Sequence, residues 1–208
     1  MCRLLWLARN HYIFRHTSSS PLLIVNKLQY IWDEGPICLK RRQPRIIQQP
    51  NFLHDRAIGY FDGASQAGGT KCGVGAILIS PQLGRFNLMW NCGMGTNTRA
   101  ELLALWSILH YTRTLGIDDI QIAGDSLVTV EWFKGNYHLD AVLLDTWKER
   151  ILLLKGQFVD ISIQHIYREN NCDADILSKK ALALPMGKFM VARGEGRDLS
   201  TYHLFGTF

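Results

Sequence analysis

Four acids in this chain stand where strands end and helices begin: Asp62, Glu101, Asp125 and Asp175. Carboxylates that converge without partners repel one another, and a bound cation relieves the repulsion. An all-oxygen ligand set suits Mg²⁺ or Mn²⁺. Each acid also has a structural explanation. Thr98-x-x-Glu101 matches a capping box, in which the Glu would bond a backbone N–H of its own helix. Asp62-Gly63 is a turn dipeptide, and Asp125-Ser126 fits a helix N-cap. Asp173 and Asp175 both fit acids placed against a helix dipole. What these local explanations leave unaccounted for is the ordered set.

The elements that must position these acids can be read from hydrophobic pattern. Ala57–Phe61 is a short apolar run ending at Asp62-Gly63. Gly73–Ser80 is rich in Val and Ile, bounded by Gly and Pro81, and reads as a strand, as does Arg85–Cys92. Short Gly/Pro-bearing spacers predict three antiparallel strands in a row. Thr98 then precedes a helix over Arg99–Leu115, with Leu102, Leu105, Trp106 and Leu109 on one stripe and Gly116 at its end. Asp119–Ala123 is a short strand. Leu127–Lys134 and Asp140–Lys155 are helical stretches, Phe158–Ile166 a strand, and Asn171–Leu184 a last helix stopped by Pro185. The order βββαβααβα predicts an α/β domain with a mixed sheet flanked by helices.

Composition sets the bounds. The chain has 208 residues, 47% hydrophobic and 20% charged, ordinary for a globular domain with some extra length. No apolar run reaches the roughly 18–20 residues that span a bilayer, so no membrane partner is expected. The net charge is +5, but residues 1–54 hold eight Lys/Arg against two Asp/Glu, while the remainder is near neutral. Residues 1–54 therefore read as a basic N-terminal segment, a linker or the remnant of an upstream domain. Its Arg-rich, acid-poor start also fits an organelle transit peptide, and Lys40-Arg41-Arg42 with Arg45 fits a phosphate contact, a localisation tract or, more often for such runs, a solvated linker. The patterned domain spans 55–185, and 186–208 is expected to be a Gly-rich, irregular tail. Five cysteines, with no C-x-x-C pair and no His at zinc-finger spacing, point to a reduced intracellular protein of nucleus, cytoplasm or organelle.

The stretches Tyr60-Phe61-Asp62-Gly63-Ala64-Ser65, Thr96-Asn97-Thr98-Arg99-Ala100-Glu101-Leu102, Gly124-Asp125-Ser126 and His165…Asn171…Asp175 together resemble ribonuclease H of type 1. They look most like its plant and retroelement-associated, reverse transcriptase-like branch. The resemblance covers about 125 residues. It implies a ribonuclease H-like fold with a mixed five-stranded sheet. It also implies that Asp62, Glu101, Asp125 and Asp175 hold two ions of Mg²⁺ or Mn²⁺. His165, ten residues before Asp175, matches the family's catalytic His, and Asn171, four before it, a substrate-contacting Asn. Asp175 is preferred over Asp173 because the Ala-Asp-x-Leu-Ser-Lys context resembles the family's. Thr96, Asn97, Ser126 and Asn171 are the implied contacts to a nucleic-acid backbone.

The implied reaction is hydrolysis of the RNA strand of an RNA–DNA hybrid, leaving a 5′-phosphate and a 3′-hydroxyl. Two divalent ions about 3.5–4 Å apart would offset the phosphate charge, activate water and stabilise the leaving oxygen. Such an enzyme reads 2′-hydroxyls and groove shape, not base sequence. One departure concerns grip: only 50 residues separate Asp125 from Asp175, leaving little space for a basic helix-and-loop protrusion. Two other readings stand beside this one. A non-catalytic retroelement-derived nucleic-acid-binding domain, once joined to a reverse transcriptase, would keep the fold without the activity. A transposase or integrase shares the fold but is disfavoured by Glu101 preceding the second Asp.

Overall fold

The computed structural model describes Val25, residues 50–139 and 144–194, and the backbone of 198–202. The basic run at 40–45, Cys2, Cys38 and the start of the expected helix at 140–143 lie outside the described residues. The chain divides into two compact units, Met1–Ile46 and Ile47–Phe208, and every element below belongs to the second.

Strands β1 (Ala57–Gln66), β2 (Lys71–Ser80) and β3 (Gly84–Gly93) form the antiparallel run expected from their short spacers. They are followed by α1 (Asn97–Thr114), β4 (Asp119–Gly124), α2 (Leu127–Lys134), α3 (Asp145–Lys155), β5 (Asp160–His165) and α4 (Cys172–Ala181). The order βββαβααβα thus holds through α4. The chain then adds β6 (Phe189–Arg193) and β7 (Asp198–Tyr202). The sheet runs β5-β4-β1-β2-β3-β6-β7. β4 is parallel to both β1 and β5, and the other pairs are antiparallel.

Seven strands replace the expected five, and among the described residues beyond Pro185 two further strands form where an irregular tail was expected. Without β6, strand β3 would present an unpaired edge. Phe189–Arg193 pairs along it from Trp90 to Phe86 and buries Phe189 and Val191. Helix α4 ends earlier than expected, at Ala181. Residues 182–184 leave it through i→i+3 bonds, because the residue before Pro185 is sterically pushed out of helical geometry. Helix α1 begins two residues earlier, with Thr96 and not Thr98 as its N-cap. The Thr96 hydroxyl accepts the Arg99 N–H at 3.2 Å.

Alternation along β2 builds the two faces. Val74, Ala76 and Leu78 are buried beneath α1, whose Leu102, Leu105, Ile108 and Leu109 are wholly buried. On the opposite face, Gly73 and Gly75 make a floor for α4. A Cβ at Gly73 would lie 2.2 Å from the Ser178 carbonyl oxygen, and one at Gly75 2.3 Å from the Ala174 carbonyl oxygen. Helix backbone therefore rests directly on strand backbone, which brings α4 close to β1.

Candidate metal centre

The acids meet where the sheet splits. The β1–β4 ladder ends at Phe61↔Gly124; Asp62 is the next residue of β1, which runs on beside β2, and Asp125 directly follows the end of β4. The β4–β5 ladder ends at Gly124↔His165, so His165 stands at the same end. Neighbouring β1 continues with β2 on one side and is bordered by parallel β4 on the other. A crevice at the carboxyl ends of strands, where chain connections diverge, is the usual ligand site of such sheets.

Glu101 arrives from α1. A Cβ at Gly63 would stand 2.3 Å from the Ala100 carbonyl carbon and the Glu101 nitrogen, so only glycine admits the helix there. The Gly63 N–H bonds the Glu101 carboxylate. The capping-box alternative for Glu101 is thereby replaced: its carboxylate reaches strand β1 and not its own helix end. One carboxylate oxygen each from Asp62, Glu101 and Asp125 lies within 4.8 Å of the others. Asp62 and Glu101 are both 5% exposed, and Glu101 Oε2 is buried without a hydrogen-bond partner.

This crowding has electrostatic consequences. Burial, with the charges of Asp125 and Asp175, pushes the Asp62 carboxyl up to about 6, although a hydrogen bond from Ser178 holds it down. Burial also pushes Glu101 well above the usual carboxylate range, reinforced by Asp62 and Asp125 and opposed by the Gly63 N–H and Arg168. Buried acids that repel one another and leave an oxygen unpartnered form a site that a small dication would neutralise and complete. The residues present therefore fit a divalent metal.

Asp175 lines the same cavity, of about 350 Å³, together with Asn97, Ser126, Arg168 and Lys179. It is not one of the three converging acids. Arg168 holds its Oδ1 and Lys179 its Oδ2. Burial, which would raise its pKa, is outweighed by these two cations, and the carboxyl is held below its ordinary value. Asp173 turns elsewhere: it is largely exposed and pairs with Arg85 at 2.8 Å.

The other expected residues divide. Asn97 and Ser126 face the cavity. Thr96 is occupied as the α1 cap. Asn171 is only 2% exposed, so the expected substrate contact gives way to a bracing role. Its Nδ2 donates to the Phe61 carbonyl at 2.9 Å and to Asp125 Oδ1 at 3.1 Å. His165 Nε2 stands 3.2 Å from the Asp125 carbonyl oxygen, beside the acids. Three contributors escaped the sequence: the Gly63 N–H, Ser178 and the Arg168–Lys179 pair. Only Lys179, four residues after Asp175, was readable from helical spacing.

A protein-family profile described as "Reverse transcriptase-like" matches residues 60–181. A curated relative, ribonuclease HI of Halobacterium salinarum, is 34% identical over 128 residues, 61% of this chain and 64% of the relative. The chain thus spans just under two thirds of that protein's length. The crystal structure of RNase H1 from the same archaeon covers 61% of this chain and 97% of its own, at 34% identity and TM-score 0.58. LC11-RNase H1, a protein isolated from compost and crystallised in complex with an RNA/DNA hybrid, matches at 25% identity and TM-score 0.56, covering 61% and 96% of the two chains. The fold is ribonuclease H-like. The chain belongs to the reverse transcriptase-like family, within the type-1 ribonuclease H group. No helix among the described residues is long and apolar enough to cross a membrane.

Proposed function

We propose that this domain is a metal-dependent endonuclease that hydrolyses the RNA strand of RNA–DNA hybrids, leaving 5′-phosphates. The observation that carries the reading is the convergence of Asp62, Glu101 and Asp125 within 4.8 Å, with Glu101 Oε2 buried and unpartnered. The likeness to a protein crystallised with an RNA/DNA hybrid supplies the substrate class.

Asp62, Glu101 and Asp125 would hold one ion of Mg²⁺ or Mn²⁺, and Asp175 would help hold a second. Bound there, the ions supply charge neutralisation of the phosphodiester and a water of lowered pKa. Asn171 fixes the Asp125 carboxylate by its amide, and Ser178 fixes that of Asp62. Asn97 and Ser126 offer short polar contacts to sugar and phosphate from the cavity wall. His165, at the end of β5, relays a proton to or from the departing 3′ oxygen. The shape of the minor groove and the 2′-hydroxyls select the RNA strand.

The same reading takes 55–185 as the catalytic domain, with β6 and β7 extending its sheet, and 1–54 as a separate basic segment. It sets the protein inside the cell, where hybrids form, and within the plant or retroelement branch beside an ancestral reverse transcriptase. The test is cleavage of a labelled hybrid with Mg²⁺ or Mn²⁺ by the full chain, against Asp62→Asn. Cleavage by the wild type and none by the variant is expected. Equal cleavage by both sinks the assignment. A non-catalytic domain would leave the hybrid intact in either case.

A further inference from the structure

Asp175 lines the cavity with the three-acid cluster but is held by two cations. Lys179 reaches it from the next turn of α4 at 2.5 Å, and Arg168 from the turn between β5 and α4. Each carboxylate oxygen therefore has its own positive partner, and both cations line the cavity beside Asp62, Glu101 and Asp125. A carboxylate so neutralised is a poor ligand for a dication, which must displace one of its partners.

We propose that Arg168 and Lys179 clamp Asp175 out of the metal centre, and that the clamp opens by exchange. Arg168 transfers from Asp175 to a phosphate of the bound nucleic acid as Asp175 takes up the second ion. The proposal rests on the metal-dependent reading above. Arg168 is the partner that moves because of its position and chemistry. Its side chain is 66% exposed, with no helical neighbour relation to Asp175, whereas Lys179 is its i+4 neighbour on α4. Its guanidinium presents the fork that matches a phosphate bidentately. Its charge already acts on Asp125, Asp62 and Glu101, so it stands where a phosphate drawn to their metal would lie. Substrate and second ion then bind cooperatively, because each removes a competitor of the other.

The test is Mn²⁺ binding to the full chain by calorimetry, without substrate, beside hybrid cleavage kinetics. Wild type should bind one ion tightly and a second weakly. Arg168→Gln should strengthen the weaker site roughly fivefold, the scale of one exposed ion pair. Lys180→Gln, which removes an exposed cation one residue along α4, should change it less than about twofold. In an Asp175→Asn background, Arg168→Gln should have no effect on ion binding. With hybrid, Arg168→Gln should raise KM and uncouple it from Mn²⁺ concentration, and Arg168→Lys should restore part of the loss. Equal strengthening by Arg168→Gln and Lys180→Gln, or an effect that survives in Asp175→Asn, overturns the clamp. Two-ion binding by wild type with no change in Arg168→Gln overturns the clamp alone. No ion binding by wild type overturns the nuclease reading and the clamp with it.

Discussion

Ser178 donates its hydroxyl proton to Asp62 Oδ2 from the buried side of helix α4. The bond exists because Gly73 and Gly75 let α4 sit against the sheet, and it opposes the burial that lifts the Asp62 carboxyl to about 6. Ser178→Ala should therefore raise that carboxyl further. Because a metal ligand must be deprotonated, the acid limb of Mn²⁺ binding should move to higher pH in the variant. Stability should fall by about 1 kcal/mol, the net value of one hydrogen bond. Calorimetric Mn²⁺ affinities across pH 5–8 check this, and coincident wild-type and variant profiles would refute it.

The same raised carboxyl predicts how the metal-free domain responds to pH. Asp62 titrates near 3.8 unfolded and about 6 folded, so between these values the folded state binds more protons. Stability must then fall as pH rises from about 4 to about 6. The shift corresponds to about 3 kcal/mol at 1.36 kcal/mol per unit, fully lost above pH 6. Urea unfolding in chelator should show this decline in wild type. Asp62→Asn should flatten much of it and be the more stable protein at pH 7. An equal slope in both proteins would place the effect elsewhere.

Which parts of this arrangement were readable follows from their physics. The β-strands up to β5 and helix α2 were legible because period and turn residues are local. Asp125 was legible as a strand-end acid for the same reason, whereas Asp62, expected to end its strand at a turn, lies inside β1, which stays paired with β2 from Asp62↔Gly75 on to Gln66↔Lys71. β6 was missed because Phe189–Arg193 is a short apolar segment between glycines whose value lies in covering the edge of β3, a non-local fact. Glu101 was ambiguous because Thr98 mimics a cap. Only the approach of α1 to Gly63 decides which backbone N–H it meets. Asn171 looked like a substrate contact because spacing carries no information about burial. The Arg168–Asp175 pair depends on how the turn after β5 folds back, which no periodicity encodes.

Gly63 should tolerate no side chain. The added Cβ would meet α1 backbone at 2.3 Å, and backbone cannot yield as a flexible side chain can. Gly63→Ala should displace α1, withdraw the N–H from Glu101 and cost about 1–3 kcal/mol or more by overpacking. Thermal unfolding should show the loss, and ion-induced stabilisation should weaken with it. Gly68→Ala is the control: its Cβ meets nothing within 4 Å, though its φ of +66° carries the ordinary penalty of about 1–2 kcal/mol. That variant should lose stability without losing its ion response.

Glu101→Gln separates the metal reading of this residue from the capping one. Gln serves in a capping box about as well as Glu, so a capping residue would lose little by the change. Here the helix is capped by Thr96, and Glu101 stands buried against Asp62 and Asp125 with an unpartnered oxygen. Removing its charge relieves repulsion in the metal-free domain, so Glu101→Gln should be at least as stable as wild type in chelator at pH 7. With Mn²⁺ at a hundred times the wild-type dissociation constant, wild type should gain about 2.7 kcal/mol. The variant should gain little, having exchanged an anionic ligand for a neutral amide. Denaturant midpoints with and without Mn²⁺ measure both halves, and an undiminished Mn²⁺ response in Glu101→Gln would remove this residue from the metal centre.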